Sequence, residues 1–388
     1  MMSSTPTRAL VGLALAGLVT ASVVPVATAG ERKGGDDRGR VVATGLDSPR
    51  HLSASARGDL YVAEAGEGGD DCVLGEAPGE PEPVEVCGGT TGAVTRVTHR
   101  GHQSRVVTGL PSLRLGEDVI GTSDAELHGR TLMISVGLGN PPETRDHLVE
   151  EHGRAYARLA TVQSARLKGS HTTRLRTEAD LARSETRRNP DGGLLDTNPN
   201  SIARDRGGWV VADAGANDVL RLTDKGRLRL VTVLPEGMAE APPFLELPPG
   251  TQIPFQPVPT SAVRGPDGAI YVSQLTGFPF PQDGAGIWRV GRDGVARPWA
   301  TGLTNVTDLA FDHKGRLYAV QLSDVGLLNE TGLPSGSLVQ VRKNGNHRTV
   351  VDDLDAPFGV ALHRGDAYIT TCTVCADGGQ VMRFDLDR

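Results

Sequence analysis

The segment RVVATGL at residues 40–46 recurs as SRVVTGL at residues 104–110 and as RPWATGL at residues 297–303. No strand pattern lies just before the first copy, and the C-terminus stops one strand short of completing its own unit. An outer strand from the front of the chain can therefore complete the last unit at the back. Self-similarity of this kind predicts a repeat-built protein whose two ends meet.

Six units of one plan make up the chain after this first copy. Each has a short apolar strand, a tight turn with glycine or aspartate, and a second strand such as DLYVAEAG (59–66), GWVVADAG (208–215) or RLYAVQLS (316–323). Third and fourth strands with alternating apolar residues follow. These patterns predict an all-β fold, a six-bladed β-propeller over residues 40–388 that is closed by the N-terminal outer strand.

The second unit is the least regular. Its third strand is predicted in YARLATVQ from Tyr156, and its fourth in TTRLRT from Thr172. A helix is predicted at residues 178–187, with Thr177 as its N-cap. We interpret this helix as a connection between units.

Residues 1–29 have the features of a secretory signal peptide. A positively charged start precedes an apolar core at residues 9–24 and a small-residue cleavage site at residues 27–29. A membrane anchor is the alternative, but the apolar run is short and ends at Pro25. The signal lacks an Arg-Arg pair, which favours the general export pathway. We therefore expect a secreted protein with a flexible leader at residues 30–39 and no membrane span after cleavage.

The charge balance excludes one class of partner. The net charge of -7 comes from 47 acidic and 40 basic residues that are mixed along the chain. A nucleic-acid partner is therefore not expected. We expect a monomer.

Four cysteines remain after the signal peptide. An even number of cysteines in an exported chain predicts disulfides. The local pairs Cys72–Cys87 and Cys372–Cys375 are the first prediction. Pairing between the first and last units, which are neighbours in a closed ring, is the alternative. A redox or zinc site is disfavoured, because Cys372-x-x-Cys375 has neither a strand–helix context nor a second Cys-x-x-Cys pair.

Strand order sorts the loops onto two faces. The loops between second and third strands emerge where the innermost strand begins, and they include the long segments 64–92, 137–155, 274–286 and 321–336. Variable loops on a rigid scaffold are where binding sites usually lie. We expect this long-loop face to contact an unidentified small molecule or extracellular protein, through Glu64, Asp213, Asn217, Gln274, Phe278 and Phe280.

Two of these contact residues allow a second interpretation. Phe278 and Phe280 alternate with prolines in TGFPFP, which predicts a stiff apolar projection toward a partner. The alternative is that the segment folds back onto the adjacent loop.

Polar residues at the start of the inner strands are expected to converge on the central tunnel. Asp124, Asn200, Asn305 and Asp308 supply hard oxygen atoms, which suit calcium. The same residue types also cap turns or bond to the backbone of a neighbouring blade. His51 is the only histidine placed there, and no catalytic residue is predicted.

The repeats are similar to NHL-type propeller repeats, and the chain also resembles the ScyD/ScyE family of secreted bacterial proteins. The matching stretches are ATGLDSPRHL, DLYVAEAG, NPDGGLLDTNPNSI, VVADAGANDVLRL, GPDGAIYVSQLTGFPFP and TNVTDLAFDHKGRLYAV, within residues 41–385. The resemblance implies a six-bladed propeller and export, and it implies no catalytic activity. Six-bladed lactonases of the gluconolactonase type hold calcium at the tunnel position named above.

These observations support one leading function and two alternatives. The leading hypothesis is a secreted, non-enzymatic binding or scaffold propeller. The first alternative is a calcium-dependent hydrolase of the lactonase or esterase type, with its metal in the central tunnel. The second is an accessory protein of extracellular pigment or metabolite assembly, which rests on the family resemblance alone.

Overall fold

A computed structural model describes residues 39–75, 82–116, 118–169, 171–328, 335–343, 345–374 and 378–386. The predicted signal peptide, all but the last residue of the leader, and Cys375 lie outside these residues. Within them, most residues belong to antiparallel β-sheets.

Six sheets in the described residues follow the six sequence units, and we number them in chain order. Sheet 1 contains β2 (Pro49–Ala54), β3 (Leu60–Glu64), β4 (Asp71–Gly75), β5 (Val84–Val97), β6 (Gln103–Leu115) and β7 (Asp118–Ile120). Sheet 2 contains β8 (Thr122–His128), β9 (Thr131–Val136), β10 (Thr161–Lys168), β11 (His171–Thr172) and β12 (Arg176–Asp180). Sheet 3 contains β13 (Pro199–Asp205), β14 (Gly208–Asp213), β15 (Asp218–Thr223) and β16 (Leu228–Val233).

The later sheets each have four strands. Sheet 4 contains β19 (Pro259–Arg264), β20 (Ile270–Gln274), β21 (Ala285–Val290) and β22 (Ala296–Leu303). Sheet 5 contains β23 (Val306–Phe311), β24 (Leu317–Gln321), β25 (Gly336–Val341) and β26 (Arg348–Leu354). Sheet 6 contains β27 (Val360–His363), β28 (Asp366–Thr371), β29 (Gly379–Asp385) and the N-terminal β1 (Arg40–Leu46).

The strand β1 pairs with the last strand of the described chain. It runs antiparallel to β29, with Val41 opposite Met382 and Ala43 opposite Val381. Ala43 and Leu46 are buried in an apolar cluster with Val381. The pairing covers an edge of β29 that would otherwise be open to other chains.

The first strands of the sheets pack side by side. Strands β2, β8, β13, β19, β23 and β27 contact one another in chain order, and β27 also contacts β2. An apolar cluster lies at each junction between neighbouring sheets. Between sheets 3 and 4, for example, Val210 and Val219 pack with Ile270 and Val272. Burial of this apolar surface is the main stabilising contribution.

Other elements lie in the connections. The helices α1 (Pro142–His152) and α2 (Leu181–Arg188) flank sheet 2, and a hairpin of β17 (Gly237–Glu240) and β18 (Gln252–Phe255) joins sheets 3 and 4. Short 3-10 turns span Arg154–Arg158 and Pro243–Leu245. Neither α-helix of the described chain is long and apolar enough to cross a membrane.

The helix predicted after sheet 2 is present, but the predicted helix start, the third strand and the fourth strand TTRLRT (172–177) are each placed differently in the structure. The third strand begins at Thr161 rather than near Tyr156, because Arg154–Arg158 form a 3-10 turn. The helix begins at Leu181 with Asp180 as its N-cap, and the Asp180 side chain accepts a hydrogen bond from the Arg183 N–H. Residue Thr177 instead lies in β12, which pairs with β10 and serves as the fourth strand.

Candidate functional site

His51 occupies the centre of the molecule, at the start of the first inner strand. Its Nε2 lies 2.7 Å from Asn200 Oδ1, and its Nδ1 lies 3.2 Å from Asp308 Oδ2. The second pair is at an ion-pair distance. His51, Asp124 and Asp308 are all buried, at 2%, 7% and 5% exposure.

The charges around His51 favour its protonated form. Burial alone would lower the pKa of His51, but the Asp308 and Asp124 carboxylates and the hydrogen-bonding partners raise it to about 9. The Asp124 pKa is raised to about 6, because burial outweighs the nearby His51. The imidazolium is therefore the cation that balances the central carboxylates.

The central carboxylates bind the backbone of the next sheet. Asp124 Oδ2 accepts a hydrogen bond from the Ile202 N–H at 2.8 Å, which joins sheet 2 to sheet 3. Asp308 Oδ2 accepts one from the Val360 N–H at 2.8 Å, which joins sheet 5 to sheet 6. Hydroxyl groups make equivalent links from Ser53 Oγ to the Ala125 carbonyl and from Ser261 Oγ to Asp308 Oδ1. These side chains hold neighbouring sheets together around the centre.

Three of the four candidate metal ligands lie together, and the fourth lies apart from them. Asp124, Asn200 and Asp308 lie around His51, and Asp124 and Asp308 line a central cavity of about 90 Å³. Asn305 is fully buried, donates its Nδ2 hydrogen to the Leu275 carbonyl at 2.9 Å, and does not line that cavity. Calcium takes six to eight oxygen ligands. Here several carboxylate oxygens already accept backbone hydrogen bonds, and a cationic side chain lies among them.

The polar residues predicted to contact a ligand have intramolecular partners. Glu64 is fully buried and pairs with Arg105 at 2.7 Å. Asp213 accepts hydrogen bonds from Thr197 Oγ1 and the Asn198 N–H, each at 2.6 Å. Gln274 Oε1 accepts one from the indole of Trp288.

Asn217 has a similar structural role. Its Nδ2 donates to Asp191 Oδ2 at 3.1 Å, and its Oδ1 accepts from the Val258 N–H at 3.2 Å. The side chain of Asn217 is buried. These four polar residues therefore shape the long-loop face rather than project from it.

The aromatic segment folds back, as in the second interpretation of TGFPFP. Phe278 is buried, and its ring lies 6.4 Å from the Phe280 ring and 6.1 Å from the Phe244 ring of the β17–β18 hairpin. Phe280 is half-buried, whereas Phe244 is 59% exposed. The apolar group that faces solvent at this position is therefore Phe244, on a hairpin that the sequence patterns did not predict.

Exposed large apolar side chains concentrate on the long-loop face. Eight of the eleven in the described residues lie in its connections: Leu74, Leu194, Met238, Phe244, Leu247, Val325, Leu328 and Val374. The other three are Val41, Leu230 and Val295. A stable fold does not need these side chains in water, and most of them lie on the face that carries the long loops.

The opposite face carries a cleft between sheets 3 and 4 with a different character. It has a volume of about 640 Å³ and is lined by five arginines, Arg206, Arg221, Arg229, Arg264 and Arg292. Buried Asp205 pairs with two of them, Arg221 and Arg264. The remaining arginines make the cleft electropositive. Sequence patterns did not indicate this cleft, because its arginines come from three strands and two turns that only the fold brings together.

One predicted disulfide is confirmed. Cys72 and Cys87 are bonded and lie opposite each other on β4 and β5. This bond rules out the alternative in which these cysteines pair with sheet 6. Cys372 follows β28, while Cys375 lies outside the described residues, so the Cys372–Cys375 pairing stays a prediction.

Comparison with known proteins identifies the fold through structural similarity and not through sequence. Neither a protein-family model nor a curated protein matches the chain in sequence. A protein of unknown function from Bacteroides thetaiotaomicron matches in structure with a TM-score of 0.51 at 10% identity, over 89% of this chain and 72% of that one. A protein named provisionally as a gluconolactonase matches with a TM-score of 0.50 at 11% identity, over 89% and 91%. The chain therefore has a β-propeller fold of mostly antiparallel strands.

Proposed function

We propose that this protein is a non-enzymatic binding propeller that contacts an extracellular protein through its long-loop face. The observation that carries the proposal is the concentration of exposed apolar side chains on that face. Exposed apolar patches on a rigid scaffold are typical of interaction sites. A protein partner fits better than a small molecule, because the apolar groups are spread over several loops rather than enclosed in a pocket.

The centre of this surface is where three loops meet. Phe244 of the hairpin packs near Phe278 of the sheet 4 loop. Gln282 of that loop donates a hydrogen bond to the Asp324 carbonyl of the sheet 5 loop at 3.4 Å. Leu247 on the hairpin and Val325 on the sheet 5 loop are 46% and 53% exposed. These contacts give the apolar groups a supported arrangement, which lowers the entropy cost of binding.

The hydrolase alternative requires an accessible metal with open coordination positions. The candidate ligands Asp124 and Asp308 are instead buried and hydrogen-bonded to neighbouring sheets, beside a histidine that favours its cationic form. These features favour a structural role for the centre. The alternative predicts calcium-dependent hydrolysis of lactones that Asp308→Asn abolishes.

The proposal also includes a closed ring of blades, export from the cell and a relationship to the ScyD/ScyE family. The pairing of β1 with β29 and the contact of β27 with β2 support a closed ring of six blades. The Cys72–Cys87 disulfide is consistent with export through the predicted signal peptide. The ScyD/ScyE-type sequence stretches support kinship with that family.

Closure is testable by removing β1. A chain that begins at Asp47 leaves β29 with an open edge and exposes part of the cluster around Val381. We expect a lower melting temperature and concentration-dependent aggregation. A chain that begins at Gly39 is the control. Equal melting of the two chains would contradict closure by β1.

The binding proposal is testable by capture with two matched variants. Phe244→Ser/Leu247→Ser alters the long-loop face, and Leu230→Ser/Val295→Ser alters comparably exposed residues elsewhere. Immobilised wild-type protein and both variants are incubated with extracellular proteins from the source culture. We expect one partner to be retained by wild type and by the Leu230/Val295 variant, and lost from the Phe244/Leu247 variant. Equal retention by all three proteins would overturn the proposed surface, and lactone hydrolysis without capture would favour the hydrolase.

A further inference from the structure

Five carboxylates come together where sheet 3 meets the connection from sheet 2. We call this set the acidic pocket: Glu185 of α2, Asp191 and Asp196 of the following loop, and Asp213 and Asp218 at the paired ends of β14 and β15. Electrostatic coupling links Glu185 to Asp213, Asp191 and Asp196, and links Asp218 to Glu185. These couplings place Glu185 near the other members of the pocket.

Several oxygens in the pocket have no hydrogen-bonding partner. Glu185 and Asp218 are 3% and 1% exposed, yet Glu185 Oε1 and Asp218 Oδ1 are unpartnered. Asp196 Oδ1 and the neighbouring Asn189 Oδ1 are buried and unpartnered as well. Buried polar atoms without partners are uncommon in folded proteins, and each one requires an explanation.

The pocket also lacks a balancing side-chain cation. Within the described part of the chain, none of the five carboxylates forms an ion pair, and the α2 residues Arg183, Arg187 and Arg188 are exposed. The acidic pocket therefore holds several acidic side chains without a paired cation, and oxygen atoms of Glu185, Asp196 and Asp218 are buried without a hydrogen-bonding partner. Buried carboxylates are unfavourable unless a cation or a hydrogen-bond donor compensates them.

We propose that the acidic pocket binds a divalent cation, calcium, through Glu185, Asp196 and Asp218, with Asn189 Oδ1 as a further ligand. All four donors are hard oxygen atoms, which suit calcium, whereas zinc sites usually include cysteine or histidine ligands. Asp191 and Asp213 already accept hydrogen bonds from Asn217 and Thr197, so they contribute charge and hold the pocket walls.

Binding requires a small movement of the pocket. Among the described residues, the carboxylates do not bring three oxygens within 4.8 Å of one another. Calcium–oxygen distances of about 2.3–2.6 Å bring ligands closer than that. The proposal therefore includes a shift of the loop that carries Asp196, whose residues 192–194 are exposed and do not pack in the core. The cation would then tie this loop and α2 to sheet 3.

This site goes beyond the proposed partner surface and is separate from the central residues around His51. Its effect would be to stabilise the long-loop side of sheet 3. It can be tested with calcium alone, without knowledge of a partner. Failure of the calcium test leaves the apolar contact surface intact, and failure of the capture experiment leaves the calcium site intact.

The experiment measures thermal unfolding of chelator-treated protein with and without calcium at pH 7.5. At calcium about 100-fold above its dissociation constant, we expect the wild-type melting temperature to rise by about 5 °C. Glu185→Gln/Asp218→Asn should lose this rise and should fold without calcium, because amides relieve the repulsion. Asp308→Asn, at the centre, is the matched control and should keep the rise.

Isothermal titration with calcium supplies a second readout on the same proteins. We expect about one site per chain in wild type and in Asp308→Asn, and none in Glu185→Gln/Asp218→Asn. Loss of the site in Asp308→Asn alone would place the cation at the centre and overturn the proposal. No calcium binding to wild type would also overturn it, because the pocket would then be neutralised by protons.

Discussion

The two ends of sheet 3 each bury an aspartate, and they balance its charge in different ways. At the arginine cleft, Asp205 is 3% exposed and pairs with Arg221 and Arg264. At the long-loop end, Asp218 is 1% exposed and has no ion pair in the described structure. A buried charge is tolerated where it is paired. One end of the sheet therefore supplies its own cation, while the other needs one from solution or must bind protons.

The largest effect is expected at the end with its own arginines. Asp205→Asn removes the carboxylate that Arg221 and Arg264 share and leaves both guanidinium groups without it. We expect the free energy of unfolding to fall by about 3–4 kcal/mol, because two charge-assisted hydrogen bonds of about 1.5–3 kcal/mol each are lost, while the partly exposed guanidinium groups keep some hydration. Urea unfolding measures this change. Asp224→Asn, which breaks the exposed pair with Arg204, is the control and should change little. Equal changes in the free energy of unfolding for the two substitutions would show that the buried pairing of Asp205 adds no more stability than an exposed ion pair.

A pH-dependent effect is expected at the centre, where His51 is the balancing cation. The groups that act on the His51 ring are Asp308, Asp124 and Asn200. The guanidinium of Arg50 lies over the Phe358 ring, which also packs against His51. The pKa of His51 is about 9 in the folded protein and about 6.5 when unfolded. Its stabilising contribution is therefore complete below pH 6.5 and is lost as the pH rises through 9.

This loss amounts to at most about 3 kcal/mol. Urea unfolding at pH 6.5 and pH 9.5 measures it as the difference between wild type and His51→Gln. We expect that difference to shrink at the higher pH. An identical pH dependence of the two proteins would mean that His51 is neutral in the fold.

The smallest effect, of opposite sign, is expected at the acidic pocket. Asp218→Asn removes one of several repelling carboxylates, so chelator-treated protein should become more stable by about 1–2 kcal/mol. Urea unfolding in chelator checks this increase. Asp205→Asn is the comparison, because the same substitution there should destabilise. A loss of stability in Asp218→Asn would contradict the prediction, because it would show that the Asp218 carboxylate stabilises the cation-free protein.

The strand order of the fold was predictable because its signal is local. Alternating apolar residues and glycine-containing turns identified sheets 1 and 3 to 6, and β1 lies beside β29 as an outer strand. The connections were harder to predict. The helix α1 has Pro141 as its N-cap and Pro142 as its first residue. Its buried side includes polar residues such as Arg145, so the sequence shows no apolar periodicity there. The β17–β18 hairpin has only four-residue strands.

The candidate sites were predictable only in part. The local Cys72–Cys87 bond and the polar centre followed from spacing and strand order. The acidic pocket did not, because its residues come from a helix, a loop and two strand ends between positions 185 and 218. Asp213 was recognised only as a polar residue of a long-loop turn. The buried, unpartnered oxygen of Glu185 depends on the packing of α2 against sheet 3, where Leu181 joins an apolar cluster with Val211 and Leu220.

The most direct test of the contrast between the two ends of sheet 3 is to locate a cation in a crystal. Crystals grown with manganese, which prefers the same oxygen ligands as calcium, show the ion by its anomalous scattering. We predict one strong anomalous peak among Glu185, Asp196 and Asp218, with no peak beside His51 or Asp205. A peak beside Asp308, or none at the acidic pocket with manganese in excess, would contradict the account.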